Sequence, residues 1–334
     1  MEITDYIQIL CIPGKGLDTS SIKVEWRGEY SRQTLPSISD NIENEWNKKL
    51  STGISIWNGS KFRLHKLEMQ EASLFMSPEV KLLLGLTSYK DFIGTNCSSG
   101  SKIFVQQGVL DFNNSQAYMS DPLGVGGLVV TNDNNIIFIR RSGQCAEFPF
   151  LIDRPGGHPE PDDVIAKTGQ SFQTMDPSLI LAEIFDSILK EITEEVNIPL
   201  MNLSSPVLLG VSYNPITLKT PSLEFYLKCN LNTNEIQELY KKRTEGDLEE
   251  STELIQFSFY LKYLIPNKVG FILHILLYKV DCFSKILLEQ TLNKMRRNIT
   301  LKLGIHCFLL YLNRKSIMYC IEYISIKNSQ NICI

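Results

Sequence analysis

The sequence predicts an α+β protein built on a mixed sheet, and three observations predict it. Residues 116–257 alternate short apolar runs with clusters of Asn, Asp, Gly and Pro, the mark of strands joined by turns. Residues 1–115 repeat strand and helix patterns on a smaller scale, as a separate α/β module would. Between Leu179 and Val196 the residues Leu179, Ile180, Ile184, Ile188, Ile192 and Val196 recur at helical spacing, which places one long helix after the glycine turn Pro155-Gly156-Gly157.

In order, Tyr6 to Ile12 reads as a first strand, Pro13 to Gly16 as a turn and Ile22 to Trp26 as a second strand. A helix follows from Asp40 to Leu50, capped by Ser39 or Asp40, with Ile42, Trp46 and Leu50 on one face. The runs Ile54–Trp57 and Lys61–Leu67 flank Asn58-Gly59, a dipeptide that favours a tight hairpin. Leu82 to Asn96 mixes aromatic, small and hydroxyl side chains, a composition suited to lining a pocket. His65 has no partner that would make it a catalyst and reads as structural. Trp57 and Tyr89 fit a core as well as they fit a flat surface for a base or sugar to stack on.

From residue 116 the pattern tightens. Gly124–Thr131 and Ile136–Arg140, joined by Asn132 to Asn135, form a second predicted hairpin. Neighbouring side chains of a strand face opposite ways, so one of Arg140 and Arg141 points inward as a candidate phosphate clamp. Phe150 to Asp153 leads into the glycine turn, and the helix after it is followed by strands at Val207–Tyr213 and Leu223–Cys229. Thr233 and Glu235 to Tyr240 predict a short surface helix. Residues 161–178 offer few apolar anchors, which predicts a disordered surface loop. Residues 258–334 have almost no Gly or Pro and show no ligand spacing; Ser284 to Met295 fits a helix, and no function follows.

The chemistry concentrates at Arg154 to Ile198. The helical period places Glu191, Glu194 and Glu195 together on the flank opposite the apolar face. Two unit charges about 4 Å apart repel by roughly 4 kcal/mol at an effective dielectric near 20. A divalent cation turns that repulsion into attraction, and oxygen-only ligands favour a hard ion, Mg2+ or else Mn2+. Gly156 and Gly157 supply a turn where backbone approaches phosphate closely.

Composition narrows the remaining possibilities. The chain has 334 residues, 33 basic and 37 acidic, for a net charge of −4. That leaves no basic field for nucleic acid, so phosphate recognition must be local. Eight cysteines without regular spacing read as reduced thiols of an intracellular protein of the cytoplasm or nucleus. The first residues lack a basic stretch followed by an apolar run, and no apolar run reaches the roughly 20 residues that span a bilayer. Neither a leader nor a membrane partner is expected.

Gly156-Gly157, Glu160 and then Lys190-Glu191-Ile192-Thr193-Glu194-Glu195-Val196-Asn197-Ile198 resemble the Nudix box, G-x5-E-x7-R-E-U-x-E-E-x-G-U. Lys190 stands at the family's arginine, and Asn197 at its last glycine, where Asn tolerates the left-handed conformation. About twenty inserted residues break the spacing to the first box glutamate. Glu160 and Glu183 both compete for that role, Glu160 being favoured by its place beside the turn. The stretches Gly85–Asn96, Gln116–Gly126 and Asp153–Pro161 are similar to the UDP-glucose pyrophosphatases of the family, a resemblance covering roughly residues 5–257.

The resemblance implies an α-β-α sandwich with a loop-helix-loop metal site, preceded by an N-terminal module that walls the substrate pocket. It implies Mg2+-dependent cleavage of UDP-glucose or UDP-galactose to UMP and sugar 1-phosphate. In that scheme Glu191 and Glu195 hold the metal, and Glu194 supports them or orients water. Arg141 neutralises phosphate charge, while Trp57, Tyr89, Ala146, Asp153, His158 and Glu160 contact substrate. Two other readings stay open: a Nudix pyrophosphatase for another nucleoside diphosphate such as ADP-ribose, and a UDP-sugar binding protein that has lost catalysis.

Overall fold

The computed structural model describes residues 7–9, 16–53, 56–70, 79–145, 148–214, 216–243 and 250–258. The expected turn at Pro13 to Gly16 falls almost wholly outside these residues. So do Ile54, Ala146 and the segment 259–334 with its expected helix at Ser284–Met295.

In chain order the elements are β1 (Ile7–Ile9), β2 (Ile22–Trp26), α1 (Pro36–Ser51), β3 (Ser60–Gln70), β4 (Glu79–Ser88), α2 (Tyr89–Gly94) and α3 (Ser101–Phe112). Then come β5 (Gly124–Val130), β6 (Asn135–Arg141), the two-residue strands β7 (Ile152–Asp153) and β8 (Gly156–Gly157), α4 (Pro161–Thr168) and α5 (Pro177–Val196). Last are β9 (Val207–Asn214), β10 (Thr220–Lys228), α6 (Thr233–Lys241) and β11 (Ser251–Ser258). A large mixed sheet runs β1-β9-β10-β5-β6-β11, with β7 on β6 and β8 on β5. A small sheet runs β2-β4-β3, with β2 parallel and β3 antiparallel to β4.

The expected α+β architecture with a mixed sheet is present. β5 and β10 are parallel, which fits the fully buried apolar run of β5. α5 joins the two sheets through one continuous core. Ile180, Ile184, Ile188, Ile192 and Val196 pack with Phe62, Leu82 and Leu84 of the small sheet and Val125, Val129 and Phe225 of the large one. A Cβ on Gly127 would lie 2.9 Å from Ile192 Cδ1, so glycine there lets the helix settle onto β5. The segment before β5 stitches the sheets, because Leu123 N–H donates to Phe62 C=O and Leu64 N–H to Asp121 C=O.

Three expectations need correction. No hairpin forms at Asn58-Gly59 among the described residues, because β3 takes β4 as its antiparallel partner. Residues 57–59 instead dock on the start of α2, with Tyr89 N–H donating to Gly59 C=O and Lys90 N–H to Asn58 Oδ1. The first long helix begins at Pro36, not Asp40. Proline is preorganised for the first helical position, and Ile38 extends the buried face while Leu50 stays largely exposed. The insertion is ordered: Pro161 to Thr168 is helical, and Val164 and Met175 are buried in the main core. The indole N–H of Trp26 also donates to Phe172 C=O, fastening the insertion to β2.

Candidate active site

α5 ends where the sequence places its carboxylates, and Asn197 caps it with φ +64° in the left-handed region. The three glutamates do not share one environment. Glu195 is 4% exposed, Glu191 is half-buried and Glu194 faces solvent. The expected carboxylate flank is therefore mostly covered, because β8 and β5 pack on it. Glu194 lines a groove between α4 and α5 together with Asp163 and Lys190.

The glycine turn meets this flank directly. β8 pairs with β5 so that Gly156 lies opposite Gly126 and Gly157 opposite Val125. Gly156 N–H donates to Glu195 Oε2 at 2.8 Å. A Cβ on Gly157 would fall 2.0 Å from Glu191 Oε1, so that position admits only glycine while Glu191 keeps its place. Glu191 and Glu195, two of the three box glutamates, therefore touch the turn at which phosphate was expected to bind.

Arg154 holds the turn from beneath. Its guanidinium forms a two-pronged pair with Glu224 and also reaches Asp153 Oδ1 and Ser222 Oγ. Ser212 donates to the same Glu224. Burial works against the charge, yet Glu224 and Asp153 hold Arg154 protonated beyond the ordinary arginine range. Asp153, expected at the substrate, is thus half-buried on β7 beside β6 and engaged with Arg154.

The site is electrostatically tense. Burial pushes the Glu191 carboxyl up to about 7, helped by Glu250 and Glu194 and opposed by Lys190 and Lys61. Burial also pushes Glu195 well up, with Glu191 and Glu250 adding to it, while the Gly156 N–H and Arg141 work the other way. The charge of Arg141 on β6 thus favours ionised Glu195, whereas Arg140 pairs with Glu253 at the surface. Glu250 is a carboxylate that sequence patterning missed. It enters through backbone pairing, Ser142 N–H donating to Glu250 C=O just before β11.

The remaining expected residues fall around this centre. Glu160 pairs with Lys61 of β3, and half-buried His158 lies between it and the turn. Glu183 is buried and pairs with Lys167 of the inserted helix, so it supports the insertion. Trp57 is 76% exposed, which removes it from the core. Tyr89 is half-buried against Trp46 and Phe92. His65 stacks on Tyr30 beside buried Arg63, as a structural histidine should.

A divalent cation fits these residues by the chemistry of the donors. Two carboxylates, both driven toward their protonated forms by burial and by the acidic groups around them, are stabilised as anions by a positive ion. Among the described residues no three His, Cys, Asp or Glu side chains close on one point. Holding an ion through one or two carboxylates, with water and phosphate as its other ligands, is the usual habit of Mg2+. Also among the described residues, no helix is long and apolar enough to cross a membrane.

No family model matches the chain. Individual relatives do. It is 39% identical over 245 residues to uridine diphosphate glucose pyrophosphatase NUDT22 of Bos taurus, covering 73% of this chain and 83% of that protein. It is 40% identical over 232 residues to the Homo sapiens protein of the same name, covering 70% of this chain and 76% of that one. Nudix hydrolase 9 of Arabidopsis thaliana is 36% identical over 256 residues, covering 74% of this chain and 81% of its own. With this identity and coverage, and with the glutamate helix braced on its glycine turn, the chain belongs to the Nudix hydrolases and is an enzyme of the class that cleaves phosphorus-containing anhydrides.

Proposed function

We propose that this protein hydrolyses the diphosphate of UDP-glucose or UDP-galactose to UMP and sugar 1-phosphate, with Mg2+ as cofactor. The observation that carries the reading is its 39–40% identity to two proteins named as UDP-glucose pyrophosphatases, over most of their length. The tense carboxylate pair on the glycine turn supports it, since an anionic pair of this kind suits a metal-assisted attack on phosphorus.

Glu191 and Glu195 would hold the ion, which when bound draws charge from the anhydride and lowers the pKa of water. The Gly156 N–H fixes the Glu195 rotamer, so the carboxylate is preorganised. Arg141 offsets phosphate charge from the β6 side, and Arg154 with Glu224 keeps the turn rigid without touching substrate. Asp153, His158 and Glu160 line the turn. Trp57 and Tyr89, on either side of the 57–59 junction, form the aromatic wall for the nucleoside or sugar, with the small sheet as its scaffold. Glu194, at the solvent edge, orients the attacking water, and its charge adds to the negative field beside Glu191 that a bound cation relieves.

The reading is tested by a panel of nucleotide sugars. UDP-hexoses should be cleaved in preference to ADP-ribose, with UMP as one product; preferential cleavage of ADP-ribose contradicts the substrate assignment and leaves the family intact.

A further inference from the structure

Lys61 lies outside the motif that marks the site and on the other sheet, yet its ammonium reaches Glu160, just past the glycine turn. Its side chain is only 14% exposed and forms an ion pair with Glu160. The indole Nε1 of Trp57, Oε1 of Glu160 and Nζ of Lys61 lie 3.7, 3.8 and 3.9 Å from the point a Cβ on Gly59 would occupy. Indole, carboxylate and ammonium thus converge on one spot. Lys61 of β3 therefore stands beside Trp57 and Glu160, both assigned to the substrate in the proposed function.

An ammonium that has lost most of its water needs an anion beside it, and Glu160 supplies one in the free protein. The flexible lysine stem lets the charge move between anions with the backbone fixed, and lysine binds phosphate well as a point charge. An anhydride bound against Glu160 and Trp57 would bring a stronger and doubly charged anion beside the same ammonium. We infer that Lys61 is a diphosphate-binding residue whose ammonium exchanges Glu160 for a phosphate oxygen when substrate enters. The inference rests on the proposed anhydride substrate.

The test is calorimetric titration of the full chain with inorganic pyrophosphate in the presence of Mg2+. Lys61→Met should weaken binding by about tenfold to a hundredfold, the scale of one charge-assisted hydrogen bond. Lys61→Arg should recover most of it, and Lys61→Gln gives a second truncation should the methionine variant fold poorly. The double variant Lys61→Met/Glu160→Gln should stay weak. Unchanged affinity in Lys61→Met overturns the inference, as does absence of pyrophosphate binding by the wild-type chain. Recovery in the double variant also overturns it, because Lys61 would then only neutralise Glu160. A wild-type chain that binds pyrophosphate but leaves UDP-glucose intact refutes the sugar-nucleotide reading alone, and the comparison at Lys61 is still decided.

Discussion

The amide of Gly156 donates to Oε2 of Glu195 across 2.8 Å, so the glycine turn and the end of the box helix are clamped together at a buried carboxylate. Two features of the sequence 39 residues apart act as one piece through this bond. Glu195→Gln keeps the shape and removes the charge. Turnover should fall by more than the roughly 10–100-fold that follows loss of a mere supporting partner of a metal ligand. The metal-free thermal midpoint should hold or rise, since a strained buried carboxylate is gone; steady-state kinetics and calorimetric melting check the two halves.

Gly157 is the second contact between turn and helix. A methyl group there would meet Glu191 Oε1 at 2.0 Å, so Gly157→Ala must displace the carboxylate. Misplacement of a reacting group by about 1 Å can lower a rate by roughly 10²-fold, and a loss of that order is expected in kcat/KM. Gly28→Ala is the control, because nothing lies within 4 Å of its Cβ position, and it should leave activity unchanged.

Much of this site was legible because it is local. The helix period, the Glu191, Glu194 and Glu195 spacing, the glycine turn and the left-handed Asn197 all lie within a short stretch whose chemistry is readable from residue types. What escaped depends on distant partners. Lys61 meets Glu160 across 99 residues and Arg154 meets Glu224 across 70. Glu250 arrives by strand pairing. The insertion escaped for a different reason: of its buried residues, Pro161 and Val164 give only a single helical repeat, and Met175 lies beyond the helix. The Asn58-Gly59 hairpin failed because a favourable turn cannot by itself outcompete β4 as the partner of β3.

Arg154 shows what such a distant pair contributes. Arg154→Met leaves Glu224 buried without its counter-charge, a change that costs about 3–5 kcal/mol in comparable buried pairs. Urea denaturation should show that loss. Adding Glu224→Gln should return part of it, since the stranded charge is then removed.

Asp121 gives the protein a pH-dependent stability. Burial pushes its carboxyl up to about 6, although Arg63 and the Asn96 amide favour the charged form. An acid whose folded pKa is raised binds more protons folded than unfolded, so stability falls as pH rises from about 3.8 to about 6. A shift of that size corresponds to roughly 3 kcal/mol. Asp121→Asn should flatten this part of the profile, read by denaturation at several pH values between about 4 and 7. An identical slope in wild type and variant would place the titration elsewhere.

The most direct test of the account is to incubate the purified protein with UDP-glucose, with and without Mg2+, and to follow UMP and glucose 1-phosphate together. Release of both in equal amounts, only when the metal is present, is the predicted result. No release under either condition, with the nucleotide sugar still bound, would contradict it and leave a binding protein in place of an enzyme for this substrate.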